Sequence, residues 1–404
     1  MPLLAFWNSN PTAIGESTIE QIVAMAGDGN LKDLTPCSSE LRQYFSKILS
    51  ERIGSYIDHC LSHSFPKSGL VLQDLVNELG RRLDYKVSNG RYQGVVGGIG
   101  YDGIWVSPEG HSIIAEVKTT DAYRISLDKI AEYRQKLLST GEIKGSPSIL
   151  VIVGREDTGE LEAQIRGSRH AWDIRLISAE ALFKLVQLKE KSDDPVIGQK
   201  IRNLLTPMEY TRLDNMVDVM FATATDVEAT IAEATTDASQ VDTDLPAVES
   251  AAKSSWEFTD LALLDEKRAK IINSFGKNIK TTLIKKSRAL FWDSDHEKRV
   301  ACSISKRYTK GSYPYWYAYH PEWHEFLQEG VESYFVLGCM DLDYAFAIPL
   351  KIITEHLTAL NTTTTSKKTY WHIHLVENSD GGHAILLPHD EAQLSVDQFR
   401  VSIT

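Results

Sequence analysis

Two carboxylates and one ammonium occur at spacings that a β-hairpin would bring together. Residues 97–121 read GGIGYDGIWVSPEGHSIIAEVKTTD, with β-branched and aromatic residues on both sides of a Pro-Glu-Gly turn. If the turn is centred on Glu109, Asp102 lies opposite Glu116, where opposed Cβ atoms are about 4.5–5.5 Å apart. Side chains alternate along a strand, so Lys118 shares the face of Glu116. Two carboxylates this close repel each other unless a cation lies between them, so the pattern predicts a site for a hard ion such as Mg²⁺.

The same stretch formally matches the dinucleotide-binding pattern G-x-G-x-x-G through Gly98, Gly100 and Gly103. That pattern binds pyrophosphate only where the glycines open a helix, because the helix N-terminus faces the phosphates. Here the next residues are Ile-Trp-Val-Ser and a Pro/Gly turn, which favour a strand. The chain also lacks a G-K-S or G-K-T triplet, so a nucleotide-binding loop is excluded.

Asp102 and the sequence Glu116-Val117-Lys118 at the end of the following strand resemble the catalytic signature of the PD-(D/E)xK superfamily, the restriction-endonuclease-like nucleases. The flanking patterns fit the superfamily's order of a helix, a hairpin and then helices alternating with strands. These flanking elements are predicted as helices at 70–83, 126–138 and 160–170 and as strands at 148–153 and 173–178. The resemblance covers roughly residues 65–190 and implies an α/β restriction-endonuclease-like core. Tyr101 stands where the superfamily often has a proline.

The resemblance implies a metal-dependent endonuclease, a hydrolase that uses Mg²⁺ or Mn²⁺ to cleave the phosphodiester bonds of DNA. Asp102, Glu116 and the Val117 carbonyl would be the metal ligands, and the metal would polarise the phosphate and lower the pKa of its bound water. Lys118 would orient or deprotonate the attacking water, or neutralise the phosphate. Glu78, on the helix before the hairpin, would hold a second metal or a metal-bound water.

Each of these residues also has a structural interpretation. Charges at a period of two are common on exposed hairpins, so Glu116 and Lys118 could form an ion pair without a catalytic role. Glu78 could equally lie on a solvated helix face. Gln135, on the next helix, is a weaker candidate for contact with the site. The candidates for contact with a phosphate backbone, or for a basic helix face, are Arg166, Arg169 and His170.

The length and composition indicate a globular protein of several domains. The chain has 404 residues, of which 42% are hydrophobic and 24% charged, and it has no apolar run long enough to span a membrane. The four cysteines are far apart and the N-terminus lacks a signal-peptide pattern, which favours reduced thiols in the cytoplasm. We expect a helical N-terminal region at 1–64, a nuclease domain at 65–221, an acidic linker at 222–255 and a separate α+β domain at 256–404.

Charge is distributed unevenly around a formal net charge of −12. The 222–255 segment holds seven acidic residues and one lysine among alanines, threonines and serines, which is typical of a linker. By contrast, 267–310 holds thirteen basic and three acidic residues, and its densest part, 277–288, is predicted as a cationic helix. This basic segment predicts contact with nucleic acid, or else a solvated surface. The candidate nucleic-acid-binding residues are Lys285, Lys286, Arg288, Lys306 and Arg307.

Aromatic residues alternate in the C-terminal domain. Tyr313, Tyr315, Tyr317 and Tyr319 recur at period two, which predicts a strand with these side chains on one face and Trp316 on the other. The tyrosines would stack on bases or fill the core. Further strands, in an antiparallel sheet, are predicted at 334–338, 344–348, 370–376 and 384–387, with short helices at 322–328 and 350–360.

Four histidines in this domain are candidates for a zinc site. His372 and His374 lie on one strand face, and His320 and His324 are four residues apart near a helix start. Because no cysteine pair accompanies them, ordinary surface or core histidines are the better interpretation.

The sequence therefore predicts a Mg²⁺-dependent nuclease with a C-terminal recognition or sensing domain, and restriction or anti-phage defence would fit this architecture by analogy. One alternative is a non-catalytic protein that binds nucleic acid or a partner on a nuclease-like scaffold. Another is an effector nuclease whose C-terminal domain binds a signalling ligand or a protein. The expected partners are nucleic acid, with DNA first, and a second copy of the chain or a defence-system protein, but no membrane.

Overall fold

The structure, a computed structural model, forms two compact units, Met1–Thr223 (unit 1) and Ala224–Thr404 (unit 2). It describes residues 3–9, 14, 17–93, 100–119, 125–154, 158–192, 194, 196–207, 261–308, 313–364, 369–378 and 381–403. The predicted N-terminal region and nuclease domain both belong to unit 1. The predicted acidic linker, 222–255, lies outside the described residues.

Unit 1 begins with helices that pack beside its sheet. Each helix contributes apolar side chains to one core cluster, and side chains cap two of the helix starts, Thr18 before the second and Thr35 before the third. The helices are α1 (Leu3–Ser9), α2 (Ile19–Met25), α3 (Pro36–Lys47), α4 (Ser50–Ser62) and α5 (Ser68–Arg82). The last of these was predicted at 70–83, and it is almost entirely buried along its length.

A mixed five-stranded sheet (sheet 1) follows, with its strands in chain order. The first three strands are antiparallel, and the last three are parallel to one another. The strands are β1 (Lys86–Asn89), β2 (Gly103–Val106), β3 (Ser112–Lys118), β4 (Ser148–Val153) and β5 (Ile174–Ser178). The remaining helices of the unit are α6 (Leu127–Ser139), α7 (Gly159–Arg166), α8 (Ala179–Lys191) and α9 (Ile197–Leu205).

Helices cover both faces of sheet 1, which makes unit 1 an α/β structure. Trp105 and Leu150 pack in one apolar cluster with α3, α4, α5 and α8. Ile104 and Val151, which are adjacent to Trp105 and Leu150 in their strands and therefore point to the opposite face, pack in a second cluster with α6 and α7. All six residues of β4 are buried, which explains its uninterrupted apolar sequence, since a strand with both faces covered needs no polar side.

The described part of unit 2 combines two further sheets with three α-helices. The helices are α10 (Leu261–Asn278), α11 (Pro321–Gln328) and α12 (Leu350–His356). Sheet 2 has the order β16-β11-β10-β8-β7-β6. Its strands are β6 (Ile284–Lys285), β7 (Leu290–Trp292), β8 (Lys298–Ser305), β10 (Glu332–Cys339), β11 (Tyr344–Pro349) and β16 (Arg400–Ser402).

Sheet 3 is antiparallel throughout. Its strands are β9 (Tyr315–Tyr319), β12 (Thr362–Thr364), β13 (Thr369–Glu377), β14 (His383–Leu387) and β15 (Ala392–Ser395). The predicted antiparallel sheet is thus present in unit 2, but sheet 2 is mixed, because β8 and β10 run parallel.

The cationic helix predicted at 277–288 is wrong. Helix α10 ends at Asn278, and the chain reverses at Lys280, which has a φ of 55°. The Thr281 N–H donates to the Gly276 carbonyl at 2.9 Å, the long-range bond of a Schellman helix end, and β6 follows. The charges alone suggested a helix, but β-branched residues after the left-handed turn favour the strand.

Tyrosines of β9 fill the core of unit 2. Tyr315, Tyr317 and Tyr319 are buried, while Tyr313 lies before the strand and is exposed. Of the two interpretations left open for this face, core packing is therefore confirmed for the three strand tyrosines. The prediction that Tyr313 shares their face is wrong, because it precedes the strand and its ring contacts His374 on the other side. Trp316 lies on the opposite face, as the alternation predicts.

Within the described residues, we find no helix with the length and apolar character needed to cross a membrane.

Candidate active site

The hairpin of β2 and β3 has the pairing that the sequence predicts. Gly103 pairs with Ala115 and Trp105 with Ile113, and the turn lies around Glu109. Gly110, with a φ of 89°, takes the left-handed conformation that closes this turn. The regular pairing ends at Gly103 and Ala115, so Asp102 lies just before the first paired residue of β2.

Asp102 directly precedes β2, and its amide departs from the regular ladder. The Asp102 N–H donates to the Ala115 carbonyl at 3.1 Å, although Ala115 pairs with Gly103. Asp102 and Gly103 thus both lie opposite Ala115. This is the pattern of a β-bulge, which changes the direction of a side chain. The Asp102 carboxylate thus reaches β3, where Oδ2 accepts a hydrogen bond from the Val117 N–H at 2.7 Å.

A buried amide network fixes the Asp102 backbone. Its carbonyl accepts hydrogen bonds from Gln73 Nε2 at 3.1 Å, from Asn77 Nδ2 at 2.8 Å and from the Gly90 N–H at 2.9 Å. Asn77 Oδ1 in turn accepts from Trp105 Nε1 at 2.8 Å. Helix α5 therefore holds the start of β2 through two side-chain amides. Neither amide is among the residues that the sequence predicts for the site.

A signal for them exists in the sequence. Gln73 and Asn77 are four residues apart within an apolar helix, so they share one face. Buried side-chain amides require hydrogen-bond partners, which makes such a pair on a core helix a candidate for contact with backbone outside the helix. The sequence alone does not tell which carbonyl they contact.

Glu116 and Lys118 lie two residues apart at the end of β3, on one face of the strand. Lys118 Nζ lies 2.5 Å from Glu116 Oε1, and the two side chains are 30% and 12% exposed, respectively. Glu116 and Lys118 both act electrostatically on Asp102. The structure thus brings the three ionisable residues of the predicted site together.

The pKa of Asp102 is raised from its usual 3.8 to about 7. Loss of solvation is the main cause, and the Glu116 carboxylate adds to it. The Val117 N–H and the Lys118 ammonium favour the ionised form but do not cancel these effects. A carboxyl group with so high a pKa, beside a second carboxylate, marks a place where a cation would be stabilised.

The donor set is suited to a hard cation. No group of three or more His, Cys, Asp or Glu side chains able to hold a metal occurs among the residues that the structure describes. The oxygen groups at the hairpin that could hold an ion are the Asp102 and Glu116 carboxylates and the Val117 carbonyl. An all-oxygen set is what Mg²⁺ prefers.

The structure places Glu78 in an internal ion-pair network. Its carboxylate lies 3.3 Å from Arg81 and 3.2 Å from Arg82, and its side chain is 5% exposed. Arg82 also donates to Ser50 Oγ at 2.7 Å and to two carbonyls of the α3–α4 junction. Glu78 is therefore buried and paired with arginines of its own helix. It does not lie on a solvated helix face, and these contacts do not connect it to the hairpin carboxylates.

The turn of the hairpin is also held from outside. Arg202 of α9 contacts both carboxylate oxygens of Glu109, at 3.1 and 2.5 Å, and also reaches Asp84 Oδ2 at 3.1 Å. Lys189 of α8 pairs with the same Asp84 at 2.6 Å. The buried Arg202 and Lys189 side chains therefore connect the hairpin turn and Asp84 to helices α8 and α9.

The remaining candidates of unit 1 lie on α6 and α7 or just after α7. Gln135 is exposed on α6. Arg166 lies 3.9 Å from a glutamate one turn earlier in α7, and its side chain is exposed. Arg169 and His170 both lie 2.9 Å from Asp128, at the start of α6. These three basic residues therefore have acidic neighbours of their own.

Three of the nucleic-acid candidates lie at the edge of sheet 2. Lys285 is in β6, the edge strand, and Arg288 precedes β7. The Lys286 ammonium lies 4.4 Å from the centre of the Trp292 ring, and His296 stacks on that ring at 3.8 Å. This edge combines cations with an aromatic side chain, as phosphate-binding and base-binding surfaces do.

The other two candidates follow β8. Arg307 lies 2.6 Å from Asp341 and forms a two-bond pair with Glu377 at 2.9 and 2.8 Å, which raises its pKa. Its charge is thus already compensated within unit 2. The Lys306 ammonium lies 5.4 Å from the centre of the Tyr308 ring.

The four histidines do not form a metal-binding group among the described residues. His324 Nδ1 lies 2.9 Å from the Tyr319 hydroxyl, and His372 Nδ1 accepts from Trp316 Nε1 at 3.0 Å. The ordinary structural interpretation of His324 and His372 agrees with these contacts.

Comparisons with known proteins add no relationship: no protein-family model matches the chain, and no curated protein matches it.

Proposed function

We propose that the chain is a metal-dependent nuclease that hydrolyses phosphodiester bonds of DNA. The observation that carries the proposal is the convergence of Asp102, Glu116 and Lys118 at one end of the β2–β3 hairpin, with the pKa of Asp102 raised to about 7. Two carboxylates and an ammonium in this arrangement suit phosphoryl chemistry, which depends on positioning and on charge stabilisation.

The metal would be Mg²⁺ or Mn²⁺, held by Asp102, Glu116 and the Val117 carbonyl. When bound, it supplies Lewis acidity and a water of lowered pKa. The Val117 N–H keeps the Asp102 carboxylate turned toward β3, and the amides of α5 keep its backbone in place. Gln73 and Asn77 therefore act as positioning residues in this proposal.

Lys118 would neutralise Glu116 when no metal is bound and would contact water or phosphate when a metal is bound. In the structure its ammonium neutralises Glu116. A cation bound to Glu116 would release the ammonium toward solvent, where it can hold a water or a phosphate oxygen by hydrogen bonds. Its 30% exposure leaves room for this contact.

A restriction-endonuclease-like core is the fold that we propose for unit 1. The order helix, hairpin, helix, strand, helix, strand supports it, with the hairpin and the parallel strands in one sheet. By analogy with such nucleases we propose a role in restriction or anti-phage defence, in the cytoplasm, where the four buried free thiols would stay reduced. Unit 2 would recognise the nucleic acid.

A cleavage assay tests the proposal. The wild-type chain should cut DNA in Mg²⁺ or Mn²⁺ and lose this activity in EDTA. Glu116→Gln should abolish cleavage, and Lys118→Met should lower it about 10²- to 10³-fold. Glu162→Gln, an exposed carboxylate of α7, is the matched control and should cut normally.

The substrate panel should include single- and double-stranded DNA and RNA. Binding without cleavage on every substrate would support instead the non-catalytic binding protein, in which Glu116 and Lys118 form only an ion pair. Activity that survives EDTA, or a Glu116→Gln chain that cuts at full rate, would show that the wrong residues were chosen.

A further inference from the structure

Sheet 3 carries a row of rings on the face opposite its core, which we call the ring face. It consists of Tyr313, Trp316 of β9, and Tyr370, His372 and His374 of β13. β9 and β13 are neighbours, and Trp316 pairs with His374. The other face of the same two strands carries the buried core side chains, including the three tyrosines of β9.

The rings form a continuous series. Tyr313 lies 4.6 Å from His374, and His374 lies 6.1 Å from His372 with the two rings nearly parallel. His372 lies 5.8 Å from Trp316 and 5.1 Å from Tyr370. The strand rings are half-buried and Tyr313 is 40% exposed. An antiparallel sheet with one face on the core usually has polar side chains on the other, so a row of rings indicates a binding surface.

The imidazoles of the ring face are neutral. An indole N–H can only donate, so the 3.0 Å bond from Trp316 Nε1 makes His372 Nδ1 an acceptor. His372 Nε2 therefore carries the proton and donates to Thr363 Oγ1 at 2.6 Å. Burial is the main cause that lowers the pKa of His374 to about 4. At neutral pH the surface offers aromatic faces without charge.

One polar atom of the ring face lacks a partner. His374 Nδ1 is buried and has no hydrogen-bond partner among the residues that the structure describes. An unpaired buried nitrogen is costly, and an aliphatic ligand would leave it unpaired. A flat heterocycle with hydrogen-bonding edges would both stack on the rings and satisfy this atom.

A cation lies on the chain segment beside the ring face. The Trp316 N–H donates to Ser305 Oγ at 3.2 Å, and the Tyr308 N–H donates to the Pro314 carbonyl at 2.9 Å. Lys306 lies between these two contacts, with its ammonium over the Tyr308 ring. Nucleotides combine a flat heterocycle with a phosphate, which matches rings beside a lysine.

We propose that the ring face binds unpaired bases of single-stranded nucleic acid by stacking, with Lys306 contacting the phosphate backbone. Neighbouring strands that each present aromatic side chains on one sheet face can stack successive bases. The proposal extends the nuclease function by naming a ligand of unit 2. Binding measured in EDTA tests it separately from cleavage.

The test is fluorescence anisotropy of a short labelled single-stranded oligonucleotide with the full chain in EDTA. Trp316→Leu should weaken binding about 5- to 100-fold, and Trp316→Phe should retain most of it, because a ring remains. Trp172→Leu, which replaces an exposed tryptophan of unit 1, is the control and should bind normally. Lys306→Gln should reduce the slope of log K against log salt by about 0.7.

Three further arms separate the explanations. An abasic oligonucleotide of the same length should bind more weakly than the normal one; equal affinity would overturn stacking. A nucleoside monophosphate that binds as tightly as the oligonucleotide would also overturn the proposal, in favour of a pocket for a free nucleotide. Glu162→Gln, at the exposed carboxylate of α7, should bind the oligonucleotide normally. Because binding is measured in EDTA, this result does not depend on whether the chain cleaves DNA. If Trp316→Leu is poorly folded by circular dichroism, Tyr313→Ser, at an exposed position, replaces it with the same expectation.

Discussion

Asp102→Asn should stabilise unit 1, and the gain should grow with pH. The folded chain binds the Asp102 proton more tightly than the unfolded chain, since the pKa is about 7 instead of 3.8. The contribution of this group to stability is therefore most favourable below pH 3.8 and is lost as the pH rises through 7. The shift of about three units corresponds to about 4 kcal/mol of lost stability at pH 8. At pH 5 the loss is about 2 kcal/mol.

Asparagine removes this penalty with little change in shape, because its oxygen still accepts a hydrogen bond from the Val117 N–H. We expect a gain of about 2–4 kcal/mol at pH 8 and a gain smaller by about 2 kcal/mol at pH 5. Hydrogen–deuterium exchange of the β3 amides over a urea series measures the unfolding free energy of this region separately from unit 2.

Glu109→Gln is the opposite control on the same hairpin. The hydrogen bonds from Arg202 lower the pKa of Glu109, so its contribution is present above the unfolded pKa and is lost as the pH falls. This variant should therefore destabilise the hairpin at pH 8. If Asp102→Asn stabilises the hairpin equally at both pH values, or destabilises it at pH 8, the Asp102 carboxyl does not have a raised pKa in the folded chain.

Three further predictions concern the metal and the ion pairs. Mn²⁺ affinity, measured by calorimetry from pH 5 to 8, should fall about tenfold per unit below pH 7, because Asp102 must lose its proton to bind the ion; a flat profile would contradict this. Arg202→Met should destabilise unit 1 by about 1–3 kcal/mol in the same exchange experiment, since it removes charged hydrogen bonds to the partly exposed Glu109, and adding Glu109→Gln should recover part of the loss. Arg307→Gln should leave the salt dependence of nucleic-acid binding unchanged, because Glu377 and Asp341 already pair with the guanidinium; a lower slope would show that Arg307 contacts phosphate.

Several features of unit 1 could be predicted from the sequence because they depend on local pattern. The turn chemistry of residues 108–110 and the period-two alternation set the β2–β3 register, and this register brings the start of β2 next to the end of β3, where Asp102 and Glu116 lie. The apolar run of β4 and the amphipathic pattern of α5 also needed no tertiary information. The site that the sequence predicts is the part that one hairpin builds by itself.

Contacts between distant segments were decided only by the tertiary structure. The amides of Gln73 and Asn77 hold the Asp102 carbonyl because α5 packs on the hairpin, and Glu78, one residue later, points to Arg82 instead. A helix turns by about 100° per residue, so neighbouring polar residues meet different partners, and only the packing determines which.

Unit 2 shows the same division. Alternation predicted that Trp316 and the β9 tyrosines lie on opposite faces of one strand, and this is correct. It could not tell which face would be covered, because sheet 2 and α11 supply the cover from elsewhere in the chain. The side chains of Tyr315 and Tyr317 are therefore buried in the core, and Trp316 lies on the opposite, partly exposed face. Burial depends on which elements pack against a strand as well as on the sequence of the strand itself.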